Sequence, residues 1–422
     1  MSSLSQQSLS LDHSAFIDIL AKTENLLIIQ DLDGVCMGLV KDPLNRVIHP
    51  DYIEAVPAFE GHFFVLTNGE HIGQRGVNGI IERAIGSTAL VEKGLYLPGL
   101  AAGGVQWQDR YGDLIHPGVS DAELEFLAEV PNRIEQELRE FFAAYPEQFS
   151  DQIIEHCIHS SVLDNMASPT ANLNTIYETL EDSTRFATLQ QRMQSLMEKL
   201  LQAATQQGLA DSFFVHYAPN LGRNETGDEI VWFADNQTSG TTDFQFMLRG
   251  AIKEAGVLAL LNHYYSQRTG EYPLGKDFNA RQAPKTLSGL LKLVEEHFDP
   301  KLMPRMIGIG DTVTSQMVDT ETGLQPKRGG SDRNFLQLIQ SIGEALNQEN
   351  LVVYIDSSGG ELRNRKPVKS IEKDGEKVVI EGPGDPRDTE DPLRLNLVFP
   401  GGYQLYCQAF QTAAQQRLFY FH

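Results

Sequence analysis

Two aspartates stand two residues apart in the segment Asp31-Leu-Asp-Gly34. A carboxylate can attack phosphorus to form an aspartyl-phosphate, which divides the hydrolysis of a phosphate ester into two easier steps. A second carboxylic acid nearby can protonate the leaving oxygen and then deprotonate the attacking water. We therefore predict that Asp31 is a nucleophile and Asp33 an acid and base, with Gly34 letting the backbone turn closely around a ligand.

Other residues with suitable chemistry also follow apolar runs. Carboxylates crowded around a phosphate need a cation, and a hard Mg²⁺ ion that takes oxygen ligands and keeps some waters suits them. Asp311 follows Ile307-Gly-Ile-Gly310, so we expect it to meet Asp31 at this ion. Thr67, with Asn68, can supply hydroxyl and backbone donors to the phosphoryl oxygens.

A lysine should neutralise charge at the same centre. Lys285 is our first choice, because it stands at the start of a predicted helix that precedes the Asp311 strand. Lys276 is a plausible rival. Lys253 and Lys292 are interpreted as surface positions.

Four short apolar runs would position these side chains. They cover residues 26–30, 62–66, 306–309 and 351–355, and each stops at a polar segment. This pattern is typical of buried parallel strands, whose carboxyl ends share the edge of the sheet at which ligands bind. The sequence thus predicts an α/β protein with a doubly wound parallel sheet.

The segment between the second and the third of these strands is much longer than one crossover helix requires. Over two hundred residues lie there, and they mix helical and strand patterns. We therefore predict a core of residues 1–95 and 249–422, with a C-terminal extension, and an inserted α+β cap of residues 96–248.

Composition restricts the partners. The formal charge is -23, from 34 Lys plus Arg against 57 Asp plus Glu, and such a surface repels nucleic acid and anionic lipid. No apolar stretch is long enough to cross a membrane. The three cysteines have no zinc-binding spacing and suit a reducing cytoplasm, where we expect the protein.

Polar residues elsewhere could recognise a sugar. They lie in the cap stretch 216–224 and directly after Thr67-Asn-Gly69, and ordinary turn or packing roles are equally open for them. The candidates are Glu70, His71, His216, Asn220, Arg223 and Asn224.

The combination of motifs resembles the haloacid dehalogenase superfamily of phosphatases. Asp31-Leu-Asp-Gly34 is similar to its nucleophile motif, Leu66-Thr-Asn68 to its hydroxyl motif, Pro284-Lys285 to its lysine motif and Gly310-Asp-Thr312 to its metal motif. The resemblance implies a haloacid dehalogenase-like core, a cap over the active site, and an Mg²⁺ site made by Asp31, the backbone carbonyl of Asp33 and Asp311.

One position departs from the motif of the superfamily. Many relatives carry a second acid four residues after the first, but this chain has Ser315 there, and the next acid is Asp319. The ligands beyond Asp311 are therefore left open, with Thr312, Thr314 and Ser315 as candidates that act through water.

The whole chain also resembles the salt-tolerance phosphatases of cyanobacteria that release glucosylglycerol from its 3-phosphate. The segments Gln30–Gly38, Val65–Glu70 and Tyr217–Asn224 carry this resemblance. It implies a small sugar phosphate as substrate, a role in compatible-solute synthesis, and the glucosylglycerol-phosphate synthase as a functional partner. The alternatives are a phosphatase for sucrose, trehalose or glyceroyl sugar phosphates, a phosphotransferase or mutase, and a catalytically silent sugar-phosphate-binding regulator. The oligomeric state stays open.

Overall fold

The computed structural model describes residues 11–40, 43–145, 148–180, 182–223, 229–320, 323–362, 365–373 and 376–421. Contacts divide the chain into two compact units. The first unit consists of Met1–His71, Val77–Gly118 and Gly250–His422, and the second of Ile72–Gly76 and Val119–Arg249.

Strands and helices are numbered in chain order. The strands are β1 (Leu26–Gln30), β2 (Phe63–Leu66), β3 (Gly99–Ala101), β4 (Gln106–Gln108), β5 (Leu114–Ile115), β6 (Val162–Leu163), β7 (Thr170–Asn172), β8 (Phe213–Ala218), β9 (Asn220–Arg223), β10 (Glu229–Val231), β11 (Asp243–Leu248), β12 (Arg305–Gly310), β13 (Thr314–Thr320), β14 (Gly323–Gly329), β15 (Leu351–Ile355), β16 (Lys369–Lys373), β17 (Glu376–Glu381) and β18 (Leu397–Phe399). The α-helices are α1 (His13–Lys22), α2 (Pro50–Ala55), α3 (Val77–Ile85), α4 (Ser87–Lys93), α5 (Asp121–Ala143), α6 (Asp151–Ser161), α7 (Asn174–Leu180), α8 (Ser183–Gln206), α9 (Lys253–Thr269), α10 (Leu287–His297), α11 (Arg333–Leu346) and α12 (Gly402–Phe421). Short 3-10 helices cover Pro43–Asn45, Val56–Phe59 and Ala102–Gly104.

The first unit is built on a mostly parallel sheet. Among the described residues its strand order is β18-β15-β12-β1-β2-β3-β4-β5. Pairing is parallel from β18 to β3, and β4 and β5 extend the edge as antiparallel strands. The four strands predicted from the sequence correspond to β15, β12, β1 and β2, which are neighbours, so their carboxyl ends lie along one edge.

Helices cover both faces of this sheet. Side chains alternate between the faces of a strand, and in β1 Leu26 and Ile28 pack with α1, α2 and α12, whereas Leu27 and Ile29 pack with α9, α10 and α11. Burial on both faces explains why β1 is a continuous apolar run. The prediction of a doubly wound α/β fold is confirmed.

The insertion begins later in the chain than expected. Residues 96–118 contain β3, β4 and β5, which pair with β2 and with one another and so belong to the first unit. The second unit starts its long segment at Val119, not at residue 96, and ends at Arg249. Because β3 to β5 are only two or three residues long, their apolar pattern was too short to assign to the sheet.

The second unit combines helices and antiparallel strands. Its four-stranded sheet has the order β6-β7-β11-β8, β9 pairs with β10, and α5 to α8 supply the helices. A capping box between Ser120 and Glu123 starts α5. This is the α+β content predicted for the inserted segment.

The last part of the chain forms a strand and a helix. β18 pairs in parallel with β15, and α12 packs on the face that also carries α1 and α2. No helix in the described ranges combines the length and the apolar composition that a membrane crossing requires.

Candidate active site

Asp31 lies directly after β1 and is almost fully buried. Its backbone N–H donates to the carbonyl oxygen of Ile309 at 2.9 Å, so the pairing with β12 continues to the end of the strand. Gly34 follows with φ of 78°, and a Cβ there would lie 2.3 Å from Oδ2 of Asp311. Only glycine therefore lets the turn after Asp33 approach Asp311 this closely.

Three aspartates converge at the carboxyl edge of the sheet. Asp31, Asp311 and Asp332 are all buried, and one carboxylate oxygen of each lies within 4.8 Å of the others. Oδ2 of Asp332 accepts hydrogen bonds from the backbone N–H groups of Asp311 and Thr312, at 2.9 and 3.0 Å. We call these three residues the aspartate cluster.

Asp332 was not predicted from the sequence. The position four residues after Asp311 is Ser315, and the next acid along the chain is Asp319. Both belong to β13 of the β13–β14 hairpin, where Asp319 is exposed. This hairpin lies between Asp311 and Asp332 in the sequence, and after it the chain returns to the edge of the sheet. Asp332 stands immediately before α11, where aspartate commonly caps a helix, but its side chain makes no capping hydrogen bond there. No motif in the sequence marked it.

Lys253, and not Lys285, is the lysine of the aspartate cluster. Its Nζ lies 3.0 Å from Oδ1 of Asp31, an ion pair without the alignment of a hydrogen bond, and donates a hydrogen bond of 2.7 Å to Oδ1 of Asp332. Only 4% of Lys253 is exposed, so its interpretation as a surface residue was wrong. A lysine in the first turn of a helix opposes the helix dipole. That unfavourable position at the start of α9 was a signal that Lys253 has another role.

Lys285 has a different environment. Its Nζ donates to the carbonyl oxygens of Gly250, Ala280 and Arg281 at 2.9, 3.1 and 2.9 Å. With these three acceptors, the ammonium group of Lys285 holds loop segments together. The prediction of a catalytic role for Lys285 is therefore corrected. The rival Lys276 is exposed.

Thr67 follows β2, the strand next to β1 in the sheet. It is 2% exposed, and its Oγ1 accepts a hydrogen bond from the N–H of Gly69 at 3.2 Å. Asn68 is exposed. Because parallel neighbours end at one edge, the Thr67 turn and Asp31 share that edge, and the roles of Thr67 and Asn68 remain predictions.

A second cation approaches the aspartate cluster from a late part of the chain. Nη2 of Arg365 donates to Oγ1 of Thr312 at 3.1 Å, and its Nε lies 3.8 Å from Oδ2 of Asp311. Thr312 in turn donates to Oδ1 of Asp311 at 2.7 Å. No spacing or motif in the sequence pointed to Arg365.

Burial and mutual repulsion oppose ionisation in the aspartate cluster. Burial, then the neighbouring Asp332 carboxylate, raises the pKa of Asp31 well above 3.8 and that of Asp311 to about 7. Burial also acts on Asp332, but Lys253 and two backbone N–H groups hold its pKa below 3.8. For Lys253, burial lowers the pKa, and the Asp31 and Asp332 carboxylates more than offset it.

The donor set fits a divalent cation. Oδ2 of Asp311 is buried and accepts no hydrogen bond from any residue that the structure describes. A buried carboxylate oxygen without a donor is costly, and it lies beside two further carboxylates. Oxygen ligands of this kind are those that Mg²⁺ prefers.

The residues after the Thr67 turn are less accessible than expected. His71 is fully buried, with its ring Nε2 3.2 Å from the carbonyl oxygen of Gly99 and its backbone N–H donating to Oε1 of Gln106 at 2.6 Å. Its imidazole therefore fills the interior, and the prediction of substrate binding is corrected. Glu70 is 4% exposed and accepts a hydrogen bond of 3.4 Å from Gln106, and its role stays a prediction.

His71 leads to a prediction for acid stability. Burial lowers its pKa from 6.5 to about 4. Below pH 6.5 the unfolded chain binds a proton that the folded chain rejects, so this residue makes the protein less stable as the pH falls to about 4, by up to about 3 kcal/mol. A His71→Gln variant keeps a donor for Gly99 and does not titrate. Urea unfolding at pH 7.5 and pH 4.5 should show a smaller loss in the variant, and equal losses would contradict the prediction.

The residues of the second unit that were predicted to bind the sugar differ in how much the structure describes of them. Nδ1 of the half-exposed His216 lies 2.9 Å from the carboxylate of Glu229, which also accepts from the N–H of Tyr217 at 2.8 Å. Asn220 and Arg223 are in β9, and Asn224 lies outside the described residues. Their roles in binding remain predictions.

Several known proteins are similar to this chain. A family model described as Glucosylglycerol-phosphate phosphatase matches residues 25–414. A protein named glucosylglycerol-phosphate phosphatase from Synechocystis sp. (strain ATCC 27184 / PCC 6803 / Kazusa) is 58% identical over 420 residues, covering 99% of each chain. Among solved structures, the C-terminal domain of the C. albicans trehalose-6-phosphate phosphatase has a TM-score of 0.43 at 10% identity, covering 97% of this chain and 99% of that one. A haloacid dehalogenase-like hydrolase from B. subtilis has a TM-score of 0.26 at 14% identity, covering 79% and 90%.

The buried aspartates and the lysine at the carboxyl edge of the parallel sheet are side chains of the kind that phosphoryl transfer uses. The match over residues 25–414 and the 58% identity are more specific than the fold. The chain belongs to the glucosylglycerol-phosphate phosphatase family.

Proposed function

We propose that this protein hydrolyses glucosylglycerol 3-phosphate to glucosylglycerol and inorganic phosphate, in the synthesis of a compatible solute, through an aspartyl-phosphate on Asp31. The observation that supports this chemistry best is the contact of buried Asp31 with Lys253 inside the aspartate cluster. The substrate follows from the name of the relative that shares 58% of its residues with this chain.

Magnesium would be held by Asp31, Asp311 and the backbone carbonyl of Asp33, with Asp332 next to them. When bound, the ion would neutralise the carboxylates and polarise the phosphoryl group. Lys253 adds a positive charge beside the nucleophile, and it is fixed there by its hydrogen bond to Asp332. These groups offset the repulsion between Asp31 and an anionic ester.

The chain's own residues account for both halves of the reaction. A carboxylate oxygen of Asp31 attacks phosphorus as the bond from phosphorus to the glycerol oxygen of the ester breaks, and Asp33 gives that oxygen a proton. Asp33, now a carboxylate, takes a proton from water, whose oxygen attacks the phosphorus of the aspartyl-phosphate. The bond to Asp31 breaks, and inorganic phosphate leaves. Thr67 and the backbone at Asn68 would donate hydrogen bonds to the phosphoryl oxygens.

We further propose that Glu70 and four residues of the second unit select the sugar. The polar types of the four residues and their short spacing support this role. They are His216, Asn220, Arg223 and Asn224. We place the reaction in the cytoplasm. Free thiols persist in that reducing compartment, and Cys36, Cys157 and Cys407 are free and buried. The synthase that makes the phosphate ester would be the functional partner.

A substrate panel tests this function. Phosphate release from glucosylglycerol 3-phosphate should exceed that from trehalose 6-phosphate and sucrose 6-phosphate, and EDTA should abolish it until Mg²⁺ is restored. Faster hydrolysis of another sugar phosphate would contradict the substrate and keep the chemistry. Phosphate passed to an added sugar acceptor would indicate a phosphotransferase, and no turnover of any ester would indicate a silent regulator.

A further inference from the structure

Arg46 is buried between two exposed neighbours, Asn45 and Val47. It follows the 3-10 helix Pro43–Asn45 and precedes α2, and 8% of Arg46 is accessible, against 71% of the adjacent Val47. Burying a guanidinium is costly unless it is paired. The inward orientation of Arg46 therefore requires partners that offset this cost.

The guanidinium lies between the two turns that contain the proposed proton donor and the phosphate-binding hydroxyl. Its Nη1 is 3.0 Å from Oδ2 and 3.4 Å from Oδ1 of Asp33. On the other side, a Cβ placed on Gly69 would lie 4.0 Å from Nη1 of Arg46 and 3.7 Å from Oγ1 of Thr67. Arg46 and Thr67 therefore both approach Gly69, each at an ordinary van der Waals distance from a Cβ placed there.

Asp33 needs a partner of this kind. Its side chain is 34% exposed, in contrast to the buried members of the aspartate cluster. A carboxylate at the rim of a site can rotate between rotamers, and only some of them aim an oxygen at the bond that breaks. Nη1 of Arg46 contacts both oxygens of this carboxyl group, and a hydrogen bond from a charged donor restricts the rotation.

We propose that Arg46 is a positioning residue that holds the Asp33 carboxylate toward the leaving oxygen of the substrate. The inference rests on the proposed function, in which Asp33 moves the proton. Arg46 forms no bond with the substrate in this account and acts only through Asp33. A direct grip on the phosphoryl group is the competing role, and kinetics separate the two.

The test compares Arg46→Gln with wild type on two leaving groups. On the sugar phosphate, kcat should fall by about 100-fold with KM nearly unchanged, because misplacing a reacting group by about 1 Å has an effect of that size. With p-nitrophenyl phosphate, the burst of nitrophenol should remain, since that leaving group departs without a proton. The later steady rate should be slow, because Asp33 must still activate water. Arg46→Lys should recover part of kcat.

A double variant distinguishes action through Asp33 from a separate role. In an Asp33→Asn background, Arg46→Gln should cause almost no further loss, because residues that act as one unit give non-additive effects. Arg305→Gln is the matched control, since Arg305 pairs with Glu349 at 3.3 Å at the amino end of β12, away from the aspartate cluster. It should leave both activities unchanged.

Three results would overturn the inference. They are a higher KM with kcat unchanged, losses that multiply in the double variant, and loss of the nitrophenol burst in an Arg46→Gln protein that keeps the wild-type melting temperature. If the wild-type protein hydrolysed no alkyl phosphate, the proposed function would fail first and the inference with it. Turnover of glycerol phosphate alone would overturn only the substrate, and the same comparison would then be made on that ester.

Discussion

Replacing Lys253 by methionine is expected to lower kcat for phosphate release by about 10²–10³-fold. Its ammonium group lies 3.0 Å from the proposed nucleophile and 2.7 Å from Asp332, so it is the protein cation in contact with two members of the aspartate cluster. Methionine keeps an unbranched chain and removes the charge. Removing one partner of a buried pair also destabilises a fold, by about 3–5 kcal/mol. Circular dichroism and melting must therefore accompany the kinetics.

Lys285→Met is the matched control for this experiment. The amino group of Lys285 serves three backbone carbonyls, so its removal should lower thermal stability and leave kcat nearly unchanged. The opposite pattern, with Lys285 essential and Lys253 dispensable in folded proteins, would restore the interpretation made from the sequence.

Replacing Asp332 by asparagine is expected to raise the Mg²⁺ concentration for half-maximal activity by about 10–100-fold. Asparagine is nearly isosteric, and its amide oxygen can still accept the N–H groups of Asp311 and Thr312. The change therefore removes mainly one negative charge and the ion pair with Lys253. Both effects weaken the attraction for a cation and loosen Lys253 beside Asp31. Activity titrated with Mg²⁺ gives the result directly.

Asp319→Asn controls for the loss of one carboxylate. Asp319 is the next acid after Asp311 in sequence, but it lies exposed on β13, where its charge is solvated. We expect the same Mg²⁺ dependence as in the wild-type protein. A shift for Asp319 and none for Asp332 would show that the aspartate cluster is not the metal site.

Residues that directly follow a strand of the central sheet could be predicted from the sequence. Asp31, Thr67 and Asp311 each follow an apolar run, and those runs became β1, β2 and β12 of the central sheet. The reason is local, because a strand buried on both faces is apolar throughout and its end is where polar residues appear. Because neighbouring parallel strands end at the same edge of the sheet, these three residues share that edge.

Residues that depend on the packing of distant segments could not be predicted in the same way. Lys253 reaches Asp31 from the first turn of α9. Lys285 precedes α10, which packs on the same face of the sheet, but its Nζ donates to three backbone carbonyls instead. Asp332 is separated from Asp311 by the β13–β14 hairpin, which defeats any rule of fixed spacing. Arg46 and Arg365 come from irregular segments, where no period links a residue to a site.

The most direct test of the account is to trap the covalent intermediate. Wild-type protein is mixed with glucosylglycerol 3-phosphate and Mg²⁺, quenched in acid within the first turnover, treated with borohydride, and digested for mass spectrometry. An acyl phosphate on Asp31 should be reduced to homoserine at that position, and the Asp31→Asn protein should release no phosphate and show no such product. Normal turnover with Asp31 unmodified, or with the modification at another carboxylate, would contradict the assignment of Asp31 as the nucleophile.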